Sequence, residues 1–120
     1  MPSDGRIHLH LYGIPNCDSC RHTRRWLEIR NVPHTFHDIR AEELSLSVLR
    51  EWFESAHGPC LLNRRSTTWR QLSDADKESA QRDPASLVRQ HPTLLKRPVI
   101  TDGSVILDVG FEPESLEDYI

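Results

Sequence analysis

Two cysteines spaced as Cys-x-x-Cys stand at the boundary between two local patterns, and this boundary most constrains the fold. The segment Ile7–Tyr12 alternates apolar and polar side chains, which is typical of a strand. Gly13–Asn16 favours a turn, and Cys17 to about Ile29 has helical spacing without glycine or proline. The sequence therefore predicts a strand, a turn and a helix, with the first thiol where the helix begins.

The start of a helix favours a thiolate over a thiol. Backbone N–H groups without helical partners and the positive end of the helix dipole both stabilise negative charge there. Cys20 follows one turn later, where it could resolve a mixed disulfide formed on Cys17. The alternatives are an inert, partly buried thiol for Cys17 and a core residue for Cys20. We interpret the pair as a thiol–disulfide exchange site, with Cys17 as the nucleophile and Cys20 as the possible resolving thiol.

Length and composition narrow the class of protein. A chain of 120 residues matches one domain, and its net charge of -3 gives no basic field for direct nucleic-acid binding. Three cysteines, two of them close together, do not make a disulfide scaffold and fit a reducing compartment. Met1–Arg6 lacks the apolar segment of a signal peptide, and no run of eighteen apolar residues occurs. We expect a cytoplasmic protein without membrane contact.

The order of the remaining segments predicts the fold class. Asn31–Pro33 ends the first helix, and Thr35–Ile39 reads as a second strand, parallel to the first. Next come a helix over 46–57 capped by Ser45, a loop over Cys60–Arg65 and a helical turn over Thr67–Leu72. Two short helices follow over 74–81 and 84–91, capped by Ser73 and Asp83. The chain then forms a hairpin of Pro98–Thr101 and Ser104–Leu107, joined by Asp102-Gly103, and a last helix over Glu112–Tyr119. This order is that of a single thioredoxin-like α/β domain over residues 1–120, with a mixed sheet and a helical insertion over about 44–95.

Two further groups of side chains have alternative interpretations. A basic cluster consists of Arg64, Arg65 and Arg70. It could bind glutathione carboxylates or an oxyanion, although helix capping and solvation explain the cluster nearly as well.

A Cys-x-x-Cys is also half of a zinc site, but no second closely spaced ligand pair accompanies it, so we expect no metal. His22 and Cys60 would have to complete such a site. Most histidines, which include His8, His10, His34, His37, His57 and His91, are expected to be ordinary surface or hydrogen-bonded residues.

Five segments, in order, carry a family resemblance. They are Leu11–Cys17, Arg24–Glu28, Leu61–Arg70, Gln90–Pro98 and Val109–Phe111. Each is similar to a segment of the YffB-like proteins, in the arsenate reductase-like (ArsC) branch of the thioredoxin superfamily that also contains the Spx redox regulators. The resemblance covers nearly all of the chain from Ile7 to Tyr119.

The resemblance implies roles for individual residues. Cys17 resembles the nucleophile of the family, Arg97 its oxyanion-binding arginine, and Pro98 the cis-proline of thioredoxin folds. The candidates for substrate or anion binding are Arg97, Arg65, Arg21 and Asn16. Arg21, one turn after Cys17, would also favour a thiolate, or it is simply solvated.

Two departures from the arsenate reductases move the expected activity toward general thiol exchange. The arsenate reductases share a third arginine near the C-terminal strand, and this chain has Val109–Phe111 in its place. Cys20 adds a second thiol, as in the Spx group. The resemblance thus implies a thiol–disulfide oxidoreductase without a bound cofactor. Glutathione is the expected co-substrate, and glutaredoxin is a further candidate partner.

A second hypothesis belongs to another functional class. The chain resembles Spx, which implies a redox-sensing transcriptional regulator acting through RNA polymerase. Because the chain is acidic and has no evident DNA-reading element, it would act only through such a protein partner.

Overall fold

The computed structural model describes residues 7–120, and the predicted polar tail of residues 1–6 lies outside the described residues. The chain divides into two compact units. Unit 1 holds the described residues up to Ala41 together with Arg97–Ile120, and unit 2 is Glu42–Lys96. The expected single domain with an insertion over about 44–95 stays a prediction.

Four strands and six α-helices are formed by the described residues. In chain order they are β1 (Leu9–Gly13), α1 (Asp18–Ile29), β2 (His34–Asp38), α2 (Leu46–Glu54), α3 (Thr67–Gln71), α4 (Asp74–Arg82), α5 (Pro84–Gln90), β3 (Val99–Thr101), β4 (Ile106–Val109) and α6 (Pro113–Glu117), with 3-10 turns at Gly58–Cys60 and Pro92–Leu94. The predicted elements are therefore present, with ends shifted by a few residues in most cases. Within this part of the chain no helix is long and apolar enough to cross a membrane.

Unit 1 contains the sheet, in the order β2-β1-β3-β4. Strand β1 runs parallel to β2 and antiparallel to β3, which runs antiparallel to β4. The parallel pair is joined through α1, as a β-α-β crossover requires. The predicted thioredoxin-like mixed sheet is confirmed.

The side chains on one face of β1 belong to the core of unit 1, and this core holds α1 on the sheet. Leu9 and Leu11 are fully buried, and they belong to one apolar cluster with Leu27 of α1 and Leu116 of α6. Because strand side chains alternate between faces, His10 and Tyr12 lie on the opposite face of the sheet. Burial of Leu27 fixes the helix that begins at the cysteine pair.

The end of α1 follows from Asn31, which adopts the left-handed conformation with φ of 56°. The N–H of Val32 then donates to the carbonyl of Leu27 at 3.0 Å, and that of Asn31 to Glu28 at 3.1 Å. This pattern satisfies carbonyls that the helix leaves open at its end. The predicted break at Asn31–Pro33 is confirmed.

The β3–β4 connection corrects the prediction of a two-residue turn at Asp102-Gly103. Thr101 pairs with Ile106, so the loop has four residues, Asp102 to Val105. The Asp102 carboxylate accepts the N–H groups of Ser104 and Val105 at 2.9 and 2.8 Å, which holds both residues in the loop.

Unit 2 is helical, and its helix starts follow the predicted caps. Val48 N–H donates to the Ser45 hydroxyl, Asp76 N–H to Ser73, and Ser86 N–H to Asp83, as predicted. Trp69 N–H likewise donates to Ser66 at the start of α3.

The end of α2 differs from the predicted position at residue 57. The helix ends at Glu54 because the Ser55 hydroxyl donates to the Trp52 carbonyl at 2.6 Å and accepts the His57 N–H at 3.2 Å. These side-chain bonds replace the backbone bonds that would continue the helix.

Candidate active site

A turn between β1 and α1 positions the first cysteine. The N–H of Cys17 donates to the carbonyl of Ile14 at 3.3 Å, which closes a four-residue turn. Cys17 is the N-cap of α1, with extended backbone (φ -99°, ψ 127°), and its carbonyl accepts the Arg21 N–H at 2.9 Å. The thiol thus lies where the N–H groups of the first helical turn point outward, as the sequence predicts.

The surroundings of Cys17 favour its thiolate. Partial burial raises the pKa of the thiol, but hydrogen bonds from the Cys20 backbone and thiol and from the Arg97 guanidinium outweigh burial. The pKa of Cys17 is therefore lower than that of an ordinary cysteine.

Cys20 has the opposite character. It is completely buried, and burial raises the pKa of its thiol to about 11. The nearby Cys17 sulfur contributes to this rise, whereas a hydrogen bond with the Ile14 backbone opposes it. Both cysteines are free thiols in this structure. Cys20 therefore stays protonated and donates a hydrogen bond to the Cys17 thiolate.

Gly13 is a residue of the site that the sequence interpretation missed. A Cβ at this position would collide with the Cys20 sulfur, so the glycine leaves room for the buried thiol. The available signal is that a glycine ends the strand that leads into the cysteine turn. The sequence interpretation gives Gly13 only a role in the turn, because its distance from Cys20 depends on how α1 packs on the sheet.

Arg97 is brought to Cys17 by the sheet, although 79 residues separate them in sequence. It lies two residues before the start of β3, the strand that pairs with β1, and the Arg97–Pro98 peptide bond is cis. Its guanidinium donates a hydrogen bond to the Cys17 sulfur and adds a favourable charge. Arg97 is half-buried, and Pro98 is buried.

The other predicted anion-binding residues have different surroundings. Asn16 is exposed in the turn before Cys17, and the guanidinium of Arg21 forms an ion pair with Asp18 on the surface of α1. Arg65 belongs to unit 2, where it is exposed and its N–H donates to the Asn63 side chain at 3.1 Å. Binding of substrate by these three residues stays a prediction.

The remaining residues of the alternative interpretations are distributed over both units. Cys60 is exposed in the 3-10 turn of unit 2. In residues 7–120, no group of three or more His, Cys, Asp or Glu side chains could hold a metal ion. Phe111 lies in the segment without the third arginine, and its ring packs edge-on against Trp26 at 5.8 Å.

The two thiols are expected to differ in their reactivity with pH. Because the pKa of Cys17 is lowered, its alkylation by iodoacetamide should reach half its maximal rate below the value of about 8.5 for a free cysteine. Cys20 should stay unreactive until the pH approaches its pKa of about 11. Peptide mass spectrometry at timed intervals measures both rates, with a short unstructured peptide that contains one cysteine as the reference. A Cys17 midpoint at or above the reference would contradict the lowered pKa.

Removal of the Arg97 guanidinium should raise the pKa of Cys17. In Arg97→Gln the thiolate loses a charged hydrogen-bond donor, so the alkylation midpoint should rise by on the order of one pH unit. Arg25→Gln is the matched control, because Arg25 is exposed on α1. Equal shifts in the two variants would mean that general charge, rather than the contact with Arg97, sets the pKa.

A mixed sheet of this order, with an activated cysteine at the start of its first helix, defines the class: a redox protein of the thioredoxin superfamily. The chain belongs to the ArsC family, whose family model matches residues 12–119.

Known proteins similar to this chain agree with that assignment. A solved structure of a YffB protein is 34% identical, with a TM-score of 0.84, and the match covers 92% of this chain and 97% of that one. An uncharacterized protein of Haemophilus influenzae is 37% identical over 109 residues, 89% of this chain and 94% of its own length. The global transcriptional regulator Spx 1 of Oceanobacillus iheyensis is 30% identical over 112 residues, 92% of this chain and 85% of its own length.

Proposed function

We propose that the protein is a thiol–disulfide oxidoreductase that uses glutathione as co-substrate. The observation that carries the proposal is the contrast between the two thiols, a half-exposed Cys17 with a lowered pKa and a buried Cys20 with a raised one. In such a pair, one cysteine is the thiolate that attacks the substrate, and the other stays protonated and could act as the resolving thiol. Glutathione is mainly reduced in the cytoplasm, so the proposal includes a cytoplasmic location.

The first step is an exchange of disulfides. The Cys17 thiolate attacks a sulfur of a mixed disulfide between glutathione and a substrate thiol, and the substrate departs as a thiolate. Cys17 and glutathione are then joined by a disulfide, with no change in the total number of disulfides. Arg97 no longer faces a thiolate, so its guanidinium is available to a carboxylate of the bound glutathione.

The second step regenerates Cys17 by one of two routes. A second glutathione attacks the bound one, which yields glutathione disulfide and frees Cys17. Alternatively, Cys20 loses its proton and attacks Cys17, which releases glutathione and leaves a Cys17–Cys20 disulfide for two further glutathione molecules, or glutaredoxin, to reduce. Both routes have the same net result: one mixed disulfide and one glutathione become one substrate thiol and one glutathione disulfide.

A coupled assay tests the proposal. Reduced protein is mixed with a glutathionylated carrier protein, glutathione, glutathione reductase and NADPH, and NADPH consumption is followed. We expect turnover by the wild type and by Cys60→Ser, because Cys60 is exposed and has no part in the exchange. A parallel reaction with arsenate tests the oxyanion as substrate. Absence of turnover with both substrates would overturn the proposal.

Mass spectrometry after mild oxidation separates the two routes. An internal Cys17–Cys20 disulfide supports resolution by Cys20, whereas a lasting glutathione adduct on Cys17 alone assigns resolution to external glutathione. The Cys60→Ser variant prevents intermolecular disulfides through the exposed thiol from confusing the result.

A second candidate function is favoured by the Spx relatives. Spx 1 of Oceanobacillus iheyensis is described as a global transcriptional regulator, and its similarity extends over 92% of this chain. In this alternative, oxidation of Cys17 and Cys20 changes a surface that binds RNA polymerase. Retention of purified RNA polymerase by the immobilised oxidised protein, together with no turnover in the coupled assay, would favour the regulator over the enzyme.

A further inference from the structure

A row of four aromatic rings follows β1 and β2 in unit 1. Tyr12 stacks on His37 with ring centroids 4.5 Å apart, His37 stacks on His10 at 5.2 Å, and His10 approaches His8 at 5.2 Å. The β1 members of this row lie on the face of the sheet opposite the core residues Leu9 and Leu11. Neither the thiol chemistry nor the core uses these imidazoles.

Within this row, Nδ1 of His10 and Nε2 of His37 share a hydrogen bond and are 2.9 Å apart. Imidazole nitrogens bind transition metals at about 2.0–2.1 Å, so two such ligands at right angles around one ion lie roughly 2.9 Å from each other. The hydrogen-bond separation of the two nitrogens therefore equals the spacing of neighbouring ligands in square-planar or octahedral coordination. Tetrahedral coordination would need a wider spacing.

We propose that His10 and His37 form a binding site for a divalent transition-metal ion of tetragonal preference, such as Ni(II) or Cu(II). The two imidazoles supply neighbouring ligands, and water fills the other positions. Among residues 7–120, no further His, Cys, Asp or Glu side chain completes a larger ligand cluster. Imidazole suits both metals, and Cu(II) should bind more tightly than Ni(II).

Binding needs both facing nitrogens to present lone pairs. In the hydrogen-bonded pair, one of them carries the shared proton, and that proton moves to the other nitrogen of the same ring when the ion binds. Both rings stay neutral and no proton is lost. Binding of the ion also requires the two half-buried rings to rotate about their Cβ–Cγ bonds until both lone pairs point to it.

A negative charge lies within electrostatic reach of His10. Asp102 acts on this ring as a negative charge and would likewise stabilise a bound cation. The exposed His8 is held by a bond between its Nε2 and the Thr35 hydroxyl at 2.7 Å.

Calorimetric titration with NiCl2 tests the site. The full chain carries Cys17→Ser, Cys20→Ser and Cys60→Ser, so that thiols do not compete for the metal. We expect one Ni(II) per chain, with affinity reduced roughly tenfold or more in either His10→Gln or His37→Gln, because one ligand cannot chelate. His22→Gln is the matched control, since His22 is exposed on α1. No binding, or equal losses in all three variants, would overturn the site.

A second measurement leaves both imidazoles in place. Substoichiometric Cu(II) should broaden the NMR signals of the His10 and His37 ring protons before those of any other histidine. Broadening centred on another histidine would overturn the proposal, even if the glutamine variants fold poorly. Neither readout involves thiol exchange, so the metal site and the proposed enzyme can fail separately.

Discussion

Replacement of Cys17 by serine should reduce turnover of glutathionylated substrate by at least about a thousandfold. A serine hydroxyl is not ionised at neutral pH and cannot form a disulfide, so the first exchange step is lost. The donor groups of Cys20 and Arg97 would still be present, but the sulfur anion that they stabilise would not. The coupled NADPH assay measures the change.

Two variants make that result specific. Cys60→Ser removes an exposed thiol and should keep wild-type turnover. Cys20→Ser should keep turnover through external glutathione but lose the internal disulfide. Full activity in Cys17→Ser would refute the assignment of Cys17 as the nucleophile. A thousandfold loss in Cys60→Ser would mean that the reaction takes place at Cys60 instead.

Leu27→Ala should lower the free energy of unfolding by about 2–5 kcal/mol. Leu27 is completely buried in the cluster that holds α1 on the sheet, so truncation loses apolar burial and leaves a cavity. The loss should also loosen the helix that begins at Cys17. Urea unfolding followed by circular dichroism gives the change in free energy.

Ile29→Ala, on the same helix, is the matched control. Ile29 is 67% exposed, so its truncation should change the free energy of unfolding by no more than about 0.5 kcal/mol. Similar losses in the two variants would mean that burial against the sheet does not stabilise α1. A change in the urea slope would instead indicate that the transition is no longer two-state.

Local interactions explain why much of the fold was predictable. The hydroxyls of Ser45 and Ser73 and the carboxylate of Asp83 accept N–H groups three residues later, so each helix start depends on its immediate neighbours. The ends that shifted depend on competing bonds. Ser55 ends α2 early, because its hydroxyl binds a backbone carbonyl of the last helical turn. Asp102 extends the loop before β4, because its carboxylate binds backbone N–H groups of that loop. The residue patterns used for the prediction do not include these bonds.

The site was predictable only in part, for a different reason. Helix position alone places Cys17 at an N-cap and turns Cys20 inward. The contacts that separate their pKa values involve Arg97, which reaches Cys17 through the pairing of β1 with β3, and the burial created by packing α1 on the sheet. The resemblance to a known family indicated Arg97, whereas no local pattern could place its guanidinium at the sulfur.

Burial of Cys20 has a consequence for the lifetime of an oxidised protein. An external thiol could reach a Cys17–Cys20 disulfide only at Cys17, because the Cys20 sulfur is fully enclosed. The departing group would then be the Cys20 thiolate, and it is a poor leaving group because burial raises the pKa of this thiol. The internal disulfide should therefore reopen slowly, so that a brief oxidation leaves the protein inactive for longer than the oxidant lasts.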